Sequence, residues 1–164
     1  MQNNAMRKTR RKLGGQSSFT SDQKKLVEEL SKTDFFSTFT FEEIALLMFC
    51  AENIKCETDE MIFREGDVGH QFFAIRKGKV KIRKEKSGTI LATLGPGEVF
   101  GEMAVLDNQP RSASAISVKS SELFAFDGHR LLDDFPHLSV KLLRYLAREL
   151  SRRLREADML IDKF

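Results

Sequence analysis

The chain has no tryptophan, a single tyrosine and only two cysteines, and each scarcity closes off a class of protein. Cys50 and Cys56 stand in 164 residues with 41% hydrophobic content, enough to build a core without covalent staples, so no disulfide framework is required. Their C-x5-C spacing matches no common metal knuckle, and both are read as reduced. His70, His129 and His137 are scattered without a His-x-His or His-x3-His spacing, which argues against a metal site and against an enzyme that holds a metal in a barrel. No basic, aromatic-rich strand offers a platform for nucleic-acid bases, and the 14 phenylalanines read as core filling. The longest unbroken apolar run, Ile44 to Ala51, falls far short of the about 20 residues a membrane span needs, and the N-terminus lacks the apolar stretch of a signal peptide. A cytoplasmic protein without a membrane span is the expectation.

Charge of one sign is also scarce. The 27 Lys and Arg residues against 24 Asp and Glu leave a net +3, too little to mark the whole chain as a nucleic-acid binder. The distribution is uneven: Arg7, Lys8, Arg10, Arg11 and Lys12 face no acid within residues 1–12, and Pro136 to Phe164 is basic again, which leaves the middle mildly acidic. Residues 1–18, polar and rich in Asn, Ser and Gly, read as a disordered basic tail. Such a tail either solubilises or touches nucleic acid, an acidic partner or anionic lipid.

Residues 19–135 read as two short helices followed by β structure. Ser21 is the expected first N-cap, with Leu26, Val27 and Leu30 on one face; Thr40 with Glu43 forms an N-cap and N3 pair ahead of Ile44, Leu46 and Leu47. After Ala51, short β-type runs recur: Met61 to Phe63, Gln71 to Ile75, Lys79 to Arg83, Thr89 to Leu94, Ala113 to Val118 and Glu122 to Phe126. Turn signals separate them at Gly66-Asp67, Lys77-Gly78, Lys86-Ser87-Gly88 and Gly95-Pro96-Gly97, the pattern of a sandwich or barrel. Residues 136–164 form one amphipathic helix, with Leu143, Leu146, Ala147, Leu150, Leu154, Ala157 and Ile161 at intervals of three or four. The first half of that stripe is expected to face the core; the second half, Leu150 to Ile161, offers a seam for a homodimer.

The chemistry concentrates in Gly95 to Ala115, GPGEVFGEMAVLDNQPRSASA. Gly101 precedes a short helical run, so the amides of Gly101, Met103 and Ala104 can converge on an anion with no side chain between. Arg111 adds a forked guanidinium suited to two phosphate oxygens, and Ser112 a hydroxyl. Glu102, an acceptor once ionised, suits a sugar hydroxyl beside that anion. An anion hole next to a hydroxyl acceptor points to a sugar phosphate or nucleotide.

EGDVGHQFFAIRKGKVKI, LGPGEVFGEM and AVLDNQPRSASA together resemble the cyclic nucleotide-binding domain family over about Phe39 to Leu154, most specifically at Phe100 to Ala115. The resemblance implies a mainly β fold with flanking α, a β jelly roll with N-terminal helices and a long C-terminal helix. It implies that Gly101 to Ala113 binds a cyclic phosphate, with Arg111 pairing to it, Ser112 and the Gly101, Met103 and Ala104 amides completing the anion site, and Glu102 taking the ribose 2′-hydroxyl. Ile82, Leu91, Phe100 and Ala113 would form the sugar and base pocket, and Arg148 or Arg152 would be lid contacts to the purine from the last helix. The sequence departs from the family at Asp59, where a glycine is common, an exchange expected to alter a turn and not the pocket.

The functional expectation is therefore a regulatory protein, not an enzyme and without a cofactor, whose ligand is cAMP in preference to cGMP and whose last helix signals to an unidentified protein partner. Because the chain ends at Phe164 with no helix-turn-helix, membrane helix or kinase domain after the last helix, the expectation is a sensor without its own output domain. The alternatives are a DNA-binding regulator using the basic tail, or an interaction scaffold that has lost its ligand.

Overall fold

Two long strands organise the molecule. In a computed structural model, which describes residues 19–161 except for the Leu160 side chain, β3 runs Gln71–Arg83 and β6 runs Ser114–Asp127, antiparallel to each other along most of their length. The segments at residues 1–18 and 162–164, including the expected basic tail, lie outside the described residues. Both long strands bend, so each pairs with different neighbours at its two ends. β6 takes β1 (Glu52–Cys56) at one end and β2 (Met61–Phe63) at the other; β3 takes β5 (Val99–Phe100) and β4 (Ile90–Leu94). The result is a six-stranded antiparallel sheet in which every pairing is antiparallel.

The bend in β3 corrects the expectation of a turn at Lys77-Gly78. Gly78 has φ +99 and lies where the register against β6 shifts, and a Cβ there would stand 2.6 Å from the Ser121 backbone Cα. Only glycine accepts both the left-handed backbone and that approach, so the two expected short strands join through a bulge. The same holds for β6, expected as two runs. Asp59 keeps the left-handed conformation a glycine would supply, at φ +62, and its amide donates to the Ser117 carbonyl.

The helices enclose one face of this sheet. α1 (Ser21–Leu30) is capped by Thr20, not Ser21, because Gln23 at N3 completes a reciprocal capping box; α2 (Phe41–Cys50) has the expected Thr40 and Glu43 box. A short 3-10 turn, Phe36–Thr38, connects them. Residues Phe72 to Ile75 are buried on both faces, which is why they read as an unbroken apolar run: Phe72 and Ala74 join the helices, Phe73 and Ile75 the interior of the β structure. Phe35 sits at the centre of the helical side, with Phe36, Phe39 and Tyr145 within 5.4 Å between ring centroids. α4 (Gly128–Asp134) and α5 (Pro136–Ile161) complete the fold.

α5 corrects the expected core stripe. Its buried face is Leu138, Leu142, Tyr145, Leu146 and Glu149, whereas Leu143 and Ala147 are exposed. No helix among the described residues is long and apolar enough to cross a membrane.

Candidate functional site

β5 ends at Phe100, and the chain then turns through Gly101 at φ +79 into the short helix α3 (Met103–Asp107), which closes on Asn108 in the left-handed conformation. The turn needs a glycine for space as well as for φ: a Cβ at Gly101 would lie 2.9 Å from Arg111 Nη1. Gly69 meets the other side of the same guanidinium, with its own notional Cβ 2.9 Å from Nη2. Arg111 is thus clasped by two backbones that approach it closely.

Its bonds fix its direction. Nη1 donates to the Gly101 carbonyl at 2.6 Å and Nη2 to the Gln71 carbonyl at 2.7 Å, while the guanidinium carbon lies 4.2 Å from the Phe63 ring centroid. The Arg111 main chain is tied just as firmly, its amide donating to the Asp67 carbonyl and its carbonyl accepting from the Gly66 amide. Arg111 is 6% exposed, and its Nε is buried without a partner. A buried cation held by two neutral carbonyls, with one donor unused, is a site made for an anion. Burial pulls the guanidinium pKa down, against the carboxylates of Asp67 and Glu102.

Glu102 begins α3 and is 2% exposed. Its Oε1 accepts from Arg153 Nη1 at 2.7 Å, and Arg153 Nη2 donates to the Val99 carbonyl at 2.6 Å, so α5 is pinned across the end of β5. Burial raises the Glu102 pKa above the ordinary carboxylate range; Arg153 is the largest influence in the other direction.

Ile82, Phe100, Gly101, Glu102, Met103, Ala104, Arg111, Ser112 and Ala113 all line one cavity of about 70 Å³. Leu91 does not line it; it is 56% exposed on β4. Arg148 and Arg152 also lie elsewhere, on a larger cleft of about 860 Å³ formed with Lys32, Asp34, Gly97 and Tyr145. There Arg148 pairs with Asp34, and Arg152 with Glu149 and Glu156. Two lining residues escaped the sequence reading, Phe63 and Arg153. At about 70 Å³ the cavity is far smaller than the ~300 Å³ or more of an ordinary ligand pocket. No group of three or more His, Cys, Asp or Glu among the described residues has an arrangement that holds a metal ion.

A buried arginine facing the start of a short helix, on a six-stranded antiparallel sheet flanked by helices, belongs to a domain of jelly-roll type. The family profile of the cyclic nucleotide-binding domain matches residues 53–134, half of the chain, and the chain belongs to that family. It is 38% identical over 124 residues to the cyclic AMP receptor protein of Thermus thermophilus, covering 74% of this chain and 57% of that relative. Against the CRP-like cAMP-activated global transcriptional regulator of Mycobacterium tuberculosis the identity is 32% over 131 residues, with 76% and 58% covered. A solved cyclic nucleotide-binding domain from Methylobacillus flagellatus superposes with a TM-score of 0.73 at 28% identity, covering 87% of this chain and 84% of that one. The match thus spans less than two thirds of the two curated regulators.

Proposed function

We propose that this chain is a regulatory sensor that binds a cyclic nucleotide, cAMP in preference to cGMP, and does no covalent chemistry. The observation that carries the reading is Arg111, buried, clasped between Gly69 and Gly101, with its Nε unpartnered, on the wall of the same cavity as Glu102. The cyclic phosphate pairs with Arg111, with Ser112 and the Gly101, Met103 and Ala104 amides around it. Glu102 accepts the ribose hydroxyl on Oε2, since Arg153 occupies Oε1. Ile82, Phe100 and Ala113 support the sugar and base. Among the described residues Ser112 is the only hydroxyl on the cavity wall, and it turns toward Met103 Sδ at 3.7 Å with no general base as partner, which fits binding and not nucleophilic attack.

The output is the position of α5. A nucleotide does not fit the cavity as it stands, so α5 withdraws to admit it, and Arg153 then closes against the same carboxylate that holds the ribose. Ligand shifts this equilibrium by no more than its difference in affinity for the open and closed states. α5 signals to a protein partner, and the partner that its exposed stripe fits is a second copy. Leu143, Ala147, Leu150, Leu154, Ala157 and Ile161 alternate at four and three residues, a coiled-coil seam largely uncovered in the single chain.

Calorimetric titration with cAMP and cGMP in parallel tests the reading. Binding of cAMP, weakened at least about tenfold by Arg111→Ala, is the expected result, because the mutation removes charge-assisted bonds. No heat with either nucleotide refutes the ligand; an unchanged Kd in the mutant refutes the phosphate role. The naming of the Mycobacterium relative as a transcriptional regulator supports a second reading, DNA binding with cyclic nucleotide as effector. Steeply salt-dependent DNA binding that changes on adding cAMP would favour it.

A further inference from the structure

The phosphate-side segment is also held by a network of residues that do not line the cavity. Lys84, the first residue beyond β3, donates from Nζ to Glu65 Oε1 at 2.8 Å and to the Ser112 carbonyl at 2.5 Å. Glu65 Oε2 accepts from the Glu85 amide at 2.8 Å. The Glu65 amide in turn donates to Ser114 Oγ at 2.8 Å, and Ser114, fully buried, donates to Glu85 Oε1. The Lys84 ammonium and the Glu85 amide hold the Glu65 carboxyl below its ordinary range.

Three stretches of chain meet here: the turn at residues 64–67, the base of the β3–β4 hairpin, and residues 111–114. Asp67 and Gly66 already hold the amide and carbonyl of Arg111. Lys84, which does not line the cavity, holds the next carbonyl, that of Ser112. With those main-chain groups tied, the backbone that carries the Arg111 guanidinium and the Ser112 hydroxyl is fixed beside the cavity they line. A half-exposed ion pair contributes little by itself, but Lys84 also reaches a backbone acceptor that such a pair does not need.

We infer that Lys84 is a positioning residue for the phosphate-binding segment, locking the β3–β4 hairpin to Arg111 and Ser112 through Glu65. The inference rests on the cyclic nucleotide reading and deepens it. Ile82 lines the cavity two residues before Lys84, so contact of the ligand with the hairpin and the grip on its phosphate are the two ends of one strut. A lysine suits this task because its three donors sit on a flexible stem that can serve a carboxylate and a carbonyl at once.

The test is the cAMP dissociation constant of the wild type, Lys84→Met, Lys84→Arg and Glu65→Gln, each with its melting temperature. Lys84→Met is expected to weaken binding about fivefold, through loss of a charge-assisted bond that orients the segment. Lys84→Arg keeps both donors and restores binding to within about twofold of wild type. Ser112→Ala and its double variant with Lys84→Met are measured beside these, and their losses should be less than multiplicative, since Lys84 holds the main chain that places the Ser112 hydroxyl. Glu65→Gln, which preserves shape, decides the matter if Lys84→Met does not fold. Wild type that binds neither cAMP nor cGMP overturns the functional reading and this inference with it. Wild type that binds, with Lys84→Met or Glu65→Gln unchanged or the double variant fully multiplicative, overturns this inference alone.

Discussion

Replacing Glu102 with glutamine should stabilise the unliganded protein while weakening its grip on ligand. Glu102 is 2% exposed and its Arg153 partner is 30% exposed, so the carboxylate bears most of the desolvation of the pair. The pair does not repay it: the Glu102 pKa lies above the ordinary glutamate value of 4.5, so its surroundings on balance favour the neutral form. Glutamine keeps the volume and an acceptor for Arg153, and Arg153 keeps its bond to the Val99 carbonyl and its access to water. Removing the buried charge without stranding its partner is expected to gain about 1 kcal/mol at neutral pH, a rise of about 2–4 °C in Tm for a chain of this size. Because the folded-state pKa is raised, wild-type stability is highest with the carboxyl protonated and falls as pH rises from about 4.5 through the raised folded value. The advantage of Glu102→Gln should therefore be absent at low pH and grow across that window. Calorimetric melts from about pH 4 to about pH 8 measure it directly. A mutant that melts below wild type at neutral pH, by a deficit that grows with pH, refutes the reasoning. Affinity for cAMP should meanwhile drop about fivefold, as a neutral amide replaces an ionised acceptor.

Gly128→Ala places a Cβ 2.1 Å from Val105 Cγ1, between α4 and the helix that carries Glu102. Overpacking there is expected to cost about 1–3 kcal/mol and to weaken cAMP binding by displacing α3; a Tm and Kd equal to wild type would contradict that packing. Leu154→Glu sets a charge on the exposed seam of α5, where Leu154 is 63% exposed. Sedimentation should show a wild-type dimer and a monomeric variant with unchanged Tm at low concentration; a variant that remains dimeric places the seam elsewhere.

The fold was legible where one local signal decided the outcome. Thr40 with Glu43 announced α2, and Val80 and Ile82 alternating with lysines announced the half of β3 with one wet face. Sequence failed where long-range pairing decides. Gly78 reads as a turn on composition, yet its neighbours on both sides pair with β6, and only the position of Ser121 turns it into a bulge. β1 has a pattern too polar to be read as a strand, since most of it is exposed while it borrows its hydrogen bonds from β6. β5 is two residues long and carries no period at all.

The displacement of Arg148 and Arg152 from the cavity and the overlooked Arg153 have a single cause, the phase of α5. Three arginines stand within six residues, and a step of one residue turns a helix by about 100°, so which of them faces the sheet depends on which apolar stripe is taken as the core. The stripe from Leu143 to Ile161 is the more regular one, but apart from Leu146 its members are exposed or half-buried. The inward face runs through Leu138, Leu142, Tyr145 and Leu146, then through Glu149, and the next position on that face is Arg153. Polar residues continue the buried line where it crosses the cavity, and a hydrophobic pattern alone loses the line at that point. The helix is thus fixed to the core by its first half and to the cavity wall by the Arg153–Glu102 pair in its second, with an apolar stripe left exposed. On the proposed reading that division would let Arg153 release Glu102 without unpacking Leu138 to Leu146, which is what a helix needs if it is to report on a bound ligand and still hold the fold together.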